Sequence, residues 1–203
     1  MSLPAPAHDG RVALERALWL RRSVREFSDR PLRLPELAQL LWATQGMTGL
    51  EGRRTTPSAG TSYPLEVHVL AGSVEGVAPG HYRYLPRRHV LLERAAGDLR
   101  DALARAAQDQ AWIAHAAAIL VVTAVPERTS FTYGERGARY VQQEAGGAAQ
   151  NLQLQAAVLG LASAVVGAFR DADVARLLEL PAWEAPVCIL PVGWPAEKRG
   201  VPC

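Results

Sequence analysis

The sequence predicts one α+β domain, with helices and strands mixed along the whole chain. Three observations predict it. The 203 residues are 49% hydrophobic and 21% charged, which is enough for one sizeable core. Helix-period and strand-period patterns alternate from residue 12 to residue 192. No repeat, low-complexity tract or linker divides that order, so 1–203 is taken as a single domain, with 1–10 as a loose N-terminal segment.

Val12, Ala13, Leu14, Ala17, Leu18 and Leu20 set a helical period that ends near Arg21-Arg22. A second helix opens at Leu34-Pro35-Glu36, where proline is tolerated in the first turn, and runs to Thr44. Gly46 to Pro64 reads as loop, carrying four Gly and two Pro, and Val67–Leu70 as a strand. Gly80–Tyr84, the turn Pro86-Arg87-Arg88 and His89–Leu92 form a β-hairpin pattern. Asp98–Gln108 reads as a helix capped by Asp98, and Ala117–Thr123 as an apolar strand. Arg136–Leu159 is the longest helical pattern, stopped at Gly160. Ser163–Phe169 reads as a strand, Asp171–Leu178 as a helix and Val187–Val192 as a last strand.

The long helix carries Ala145-Gly146-Gly147-Ala148-Ala149 at its centre. Each interior glycine costs about 1 kcal/mol against alanine. A close backbone approach, at a helix crossing or a dimer interface, would offset that cost, and a kinked helix is the alternative.

Composition excludes several classes. There are 22 basic and 20 acidic side chains, a net charge of +2, and Lys198 is the only lysine. That balance does not suit a nucleic-acid partner, which needs cations concentrated on one face. Two cysteines, Cys188 and Cys203, support neither a disulfide scaffold nor a zinc module. The segment Met1–Gly10 lacks a basic stretch followed by an apolar one, and no apolar run reaches the roughly 18 residues of a bilayer span. A cytoplasmic protein without a membrane segment is expected. His8, His68, His81, His89 and His115 are scattered, so no metal site is expected, and hydrolase elbows, P-loops and G-x-G-x-x-G are absent.

Two segments can carry chemistry. Arg21-Arg22-Ser23-Val24-Arg25 places three guanidinium groups and a hydroxyl where a helix ends. The guanidinium fork matches phosphate oxygens and the serine adds a donor. The same cations could instead offset the helix dipole, worth about 0.3–1 kcal/mol each. Pro57-Ser58-Ala59-Gly60-Thr61-Ser62-Tyr63-Pro64 offers small residues that let a ring approach the backbone, with hydroxyls for a polyol, or it is a plain turn.

Taken in order, these segments resemble the nitroreductase-like flavoprotein superfamily, and within it the SagB-type dehydrogenase branch. The stretches that carry the resemblance are Arg21–Phe27, Pro57–Val67, Tyr133–Tyr140, Glu144–Leu152, Leu159–Ser163, Val166–Phe169 and Leu190–Pro195. The resemblance spans residues 12 to 195. It implies a central, mainly antiparallel sheet flanked by helices, and a homodimer with FMN at the interface, built from both chains. The long helix would lie at that interface. Arg21 and Ser23 would hold the FMN phosphate with Arg22 alongside, and Arg25 would face the pyrimidine edge. Ser58, Ala59, Gly60 and Thr61 would line the ribityl chain and ring. Val166, Gly167 and Ala168 would lie beside the ring, with the Gly167 N–H as a donor. Lys198 and Arg199 would reach the phosphate from the tail, and Tyr133 and Tyr140 would face the substrate.

The implied activity is flavin-mediated hydride or electron transfer in ping-pong fashion. NADH or NADPH is the implied donor. Nitroaromatics or quinones are the implied acceptors, or a small metabolite or peptide is oxidised. No side chain is required as acid or base. The alternative is a flavin-binding subunit without turnover in a SagB-like modification system. Three departures bear on the choice. Thr132 stands where azoline-forming relatives carry lysine, Gly147 where a histidine is common, and Thr61 where many members carry asparagine.

Overall fold

The computed structural model describes residues 1–49 and 51–196. Its twelve regular elements follow the chain as α1 (Leu14–Leu20), α2 (Leu34–Gln45), β1 (Leu65–Ala71), β2 (Gly80–Leu85), β3 (Val90–Ala96), α3 (Arg100–Ala106), β4 (Ala118–Ala124), α4 (Glu127–Tyr133), α5 (Arg136–Val158), β5 (Ala162–Ser163), α6 (Asp171–Leu177) and β6 (Ala185–Gly193). The strands form one antiparallel sheet in the order β3-β2-β1-β4-β6-β5. The α+β expectation holds, and so does the sheet flanked by helices.

Each face of the sheet is covered by its own core. On one face α2 and α5 bury Leu37, Leu40, Leu41, Ala148, Leu152 and Ala156 against Val67, Val69, Leu120 and Leu190. On the other, α3, α6 and a short turn at Ala111–His115 bury Leu103, Val174 and Ile113 against Leu70, Ile119, Val121 and Ile189. A strand covered on both faces needs an unbroken apolar run, and every residue of β4 is buried. The start of α2 is closed by Glu36, whose carboxylate accepts the Arg33 N–H at 2.9 Å.

Four sequence expectations need correction. The predicted strand Ser163–Phe169 stops at Ser163; beyond it only Val166 pairs, exchanging both backbone bonds with Ile189, while Val165, Gly167 and Ala168 are exposed. Helix α4 has no sequence counterpart because Glu127–Tyr133 lacks an apolar period. The third helix begins at Arg100, with Asp98 just ahead of it accepting the Arg100 N–H at 3.1 Å. The segment 1–10 has no helix or strand, yet it is tied down: the Met1 amino group donates to Leu91 O at 2.7 Å, Leu3 is buried, and Gln39 bonds both backbone groups of Ala7.

Within one chain, the α5 glycine that a close backbone approach demands is Gly137 and not the Gly146-Gly147 pair. A Cβ at Gly146 would meet nothing within 4 Å, and one at Gly147 only Thr56 Cγ2 at 3.5 Å. At Gly137 a Cβ would lie 2.6 Å from Ser130 Oγ and 2.8 Å from its backbone, because α4 folds tightly onto α5. Gly137→Ala is therefore expected to destabilise the protein by about 1–3 kcal/mol, despite the better helix propensity of alanine. Chemical denaturation checks this, and an unchanged midpoint would refute it.

Candidate functional site

The residues singled out by sequence fall into two clusters. The first surrounds the end of α1. Arg21 caps its C-terminus and Arg22 follows, and the chain then runs beside β5, where Ser23 bridges Ser163 and the Val24 N–H donates to Ser163 O at 2.9 Å. Arg22 closes the helix by donating to the carbonyls of Trp19 at 2.8 Å and Arg21 at 2.7 Å. Its position is that of a C-terminal helix cation. Arg21, half-buried, has no hydrogen bond or ion pair from its guanidinium to another described residue. The Arg25 guanidinium lies 5.7 Å from the Trp112 ring centroid, and Trp112 stacks on Phe27 at 6.3 Å.

Val166–Ala168 follows just past β5, with Val166 paired to Ile189, three residues along β6 from the Val192 that pairs Ser163. Val166 turns into the core with both backbone groups committed to Ile189. Gly167 is exposed, its N–H has no bond to a described residue, and a Cβ there would meet nothing within 4 Å. The rim thus combines unpaired guanidinium groups, the Ser23 hydroxyl and a free amide beside open space. That donor set suits an anion.

The second cluster is the loop before β1. Ala59–Thr61 makes one 3-10 turn, and Gly60, Thr61 and Tyr63 all have left-handed backbones, at φ 57°, 54° and 46°. For the two non-glycine residues this stores strain of order 1–3 kcal/mol each, which the surroundings must hold. Ser58 Oγ accepts the Tyr63 N–H at 2.8 Å, and the Ser62 and Thr129 hydroxyls bond at 2.8 Å. The Thr61 hydroxyl turns back on Gly60 O at 2.7 Å. Tyr133 covers the loop so closely that a Cβ on Gly60 would lie 2.8 Å from its hydroxyl, and Tyr133 meets Tyr140 edge-on at 5.1 Å. A shallow cleft of about 310 Å³ opens between Ser58, Ala59, Tyr140, Gln143, Glu144 and Gly147.

The clusters do not meet within one chain. Strand register places Leu65, which follows the loop, at the Ala124 and Ala185 end of the sheet, and Ser163 beside Val192 at the Ala71 and Ala118 end. The corners are about 20 Å apart along the strands and about 14 Å across them. Lys198 and Arg199 lie outside the described residues. Sequence reasoning missed Trp112 and Glu144. The signal for Glu144 was an acid set among Val141, Ala145 and Ala148 on the buried face of a helix.

The structure is thus a mixed α/β protein whose antiparallel sheet is covered on both faces, with unpaired guanidinium groups near one corner and a strained, hydroxyl-bearing loop at the other. Comparison with known proteins narrows this. The nitroreductase family model matches residues 20–194, and the chain belongs to that family of oxidoreductases. A candidate nitroreductase of Methanocaldococcus jannaschii is 43% identical over 182 residues, covering 90% of this chain and 91% of that one. A crystal structure of a candidate nitroreductase from Ralstonia eutropha superimposes with a TM-score of 0.85 at 31% identity, covering 97% of this chain and 90% of the other. A chain of the Escherichia coli microcin synthetase McbBCD complex, with truncated pro-MccB17 bound, superimposes with a TM-score of 0.76 at 26% identity, covering 97% and 79%.

Proposed function

We propose that the protein is an FMN-dependent oxidoreductase of the SagB-type branch. In this reading it acts as a homodimer and transfers hydride or electrons from NADH or NADPH to nitroaromatic or quinone-like acceptors, or oxidises a small metabolite or peptide. The observation that carries the reading is the unpaired Arg21, Ser23, Arg25 and Gly167 rim, an anion site with no anion-bearing partner among the described residues. Bound FMN supplies the hydride chemistry; the chain's own residues hold and shield it. Arg21 and Ser23 take the phosphate, Arg25 the electron-rich ring edge and the Gly167 N–H the ring itself. Arg22, engaged with α1, contributes charge alongside.

The distance between the two clusters supports a site built from two copies. In a two-fold dimer the rim of one copy faces the Ser58–Thr61 loop of the other, and both sites form at once. Two surfaces support the interface. Helix α1 buries only Ala17 and exposes Leu14, Leu18 and Trp19. Helix α5 exposes Gly146, with half-buried Gly147 beside it, and a side chain would meet nothing within 4 Å at Gly146 and only Thr56 at Gly147. Gly147→Leu is expected to shift the protein from dimer to monomer, read by sedimentation velocity, whereas a profile still dimeric would refute the placement.

Titrating cofactor-free protein with FMN, then adding NADH or NADPH, tests the activity. Bleaching of the bound flavin on addition of either nucleotide supports turnover. A second reading is supported by Thr132, the absent lysine, and by the likeness to a subunit of the McbBCD complex. It makes the chain a flavin-binding subunit without turnover of its own. FMN that binds and is never reduced by either nucleotide favours this second reading over the nucleotide-driven one.

A further inference from the structure

This inference rests on the reading that the Ser58–Thr61 loop faces FMN. We propose that Glu144 is the positioning residue for that loop, holding it in a ligand-receptive shape from the cleft side and so setting FMN affinity. Glu144 is the single acid among the buried residues of α5 and is only 7% exposed. A carboxylate is the least favourable group to bury at such a place, so its bonds must account for it. Its Oε1 accepts the Ala59 N–H at 2.8 Å, and the Ser58 hydroxyl also faces it. Ser58 in turn holds the Tyr63 N–H. Glu144 therefore fixes one end of the segment that is left-handed at Gly60, Thr61 and Tyr63, and Ser58 beside it fixes the other.

The other flank of the loop has its own supports on α4, the Ser62–Thr129 bond and the Arg128 guanidinium on Tyr63 O at 3.0 Å. Nothing else among the described residues bonds the Ala59 amide. Burial raises the Glu144 carboxyl above its ordinary range, while the Ala59 and Ser58 bonds and the Arg54 charge pull it back.

Amide hydrogen exchange at Ala59 in ligand-free protein, followed by FMN titration, tests this on wild type, Glu144→Gln and Glu144→Ala. The glutamine keeps an oxygen for the Ala59 N–H and the alanine keeps none. Exchange at Ala59 is expected to be at least tenfold faster in the alanine variant and within about threefold of wild type in the glutamine variant, with the Kd for FMN rising in the same order. Glu144→Leu, which fills the space without an acceptor, carries the test if the alanine variant does not fold. Unchanged Ala59 exchange in the acceptor-free variants overturns the role of Glu144 whatever FMN does. Faster exchange with an unchanged Kd overturns the link to affinity. Wild type that fails to bind FMN, with exchange responding as expected, overturns the FMN reading and not the clamp.

Discussion

Glu184→Ala is expected to destabilise the protein by about 2–5 kcal/mol. Glu184 lies in the turn before β6, is buried, and accepts the Thr123 hydroxyl from β4 and a His68 ring nitrogen from β1 at 2.8 Å. His68 Nδ1 in turn meets His81 Nε2 of β2 at 2.8 Å. One carboxylate thus satisfies a buried polar chain crossing three strands. With Glu184 ionised, the consistent tautomers have His68 donating to it through Nε2 and His81 donating to His68 Nδ1. Truncation leaves two buried donors without partners, each worth about 1–3 kcal/mol. At this chain length a loss of 3 kcal/mol lowers Tm by about 6–12 °C, measurable by calorimetry, and a shift under 2 °C would contradict the network's importance.

The same chain fixes the sign of the acid response. Burial, with His68 and Arg94 nearby, lowers His81 from its ordinary 6.5 to about 4. Burial pushes the Glu184 carboxyl up, but the His68 and Thr123 bonds and the Arg83 charge hold it below the ordinary carboxylate range. Both groups take up protons more readily in the unfolded chain. Stability therefore falls as pH drops from 6.5 toward 4, through His81 first and Glu184 after it. Denaturation midpoints across that range check the direction.

The second large effect belongs to the proposed FMN site. Arg21→Ala is expected to weaken FMN binding by about 1.5–3 kcal/mol, or roughly 10- to 150-fold in Kd, the range for losing a charged hydrogen-bond partner. The fold should not suffer, because the Arg21 guanidinium makes no bond to another described residue. Arg22→Ala separates the two sequence readings of this cluster. Arg22 already holds the Trp19 and Arg21 carbonyls, so its loss should fray α1 and change FMN affinity less than the Arg21 variant does. Equal loss in both variants would mean that the cluster acts only as undirected positive charge.

Elements with a clean period were legible in the sequence. The long α5, the second helix with its proline, the hairpin and the apolar β4 lie where spacing put them, within a few residues. Their burial follows directly from alternation or from the helical repeat. Ala164–Phe169 misled because an apolar run can be buried under loops as readily as within a ladder, and α4 was silent because tertiary packing against α5, not local pattern, makes it.

The arginine cluster and the Ser58 loop were visible as residue types, but their placement at opposite corners of the sheet was not. That placement depends on strand order, which pairs Ser163 with Val192 and Leu65 with Ala124. The His68–Glu184 contact joins positions 116 residues apart and leaves no local mark. Glu144 did leave one, an acid on an apolar helix face, though only the loop above it explains why.

The visible absorption spectrum of the freshly purified protein, repeated after adding FMN and gel filtration, tests the site most directly. Bound flavin co-eluting with the dimer, at about one FMN per chain as two-fold symmetry requires, is the predicted result. A colourless protein that takes up no added FMN would contradict the assignment and return Arg21 and Arg25 to surface cations at the end of a helix.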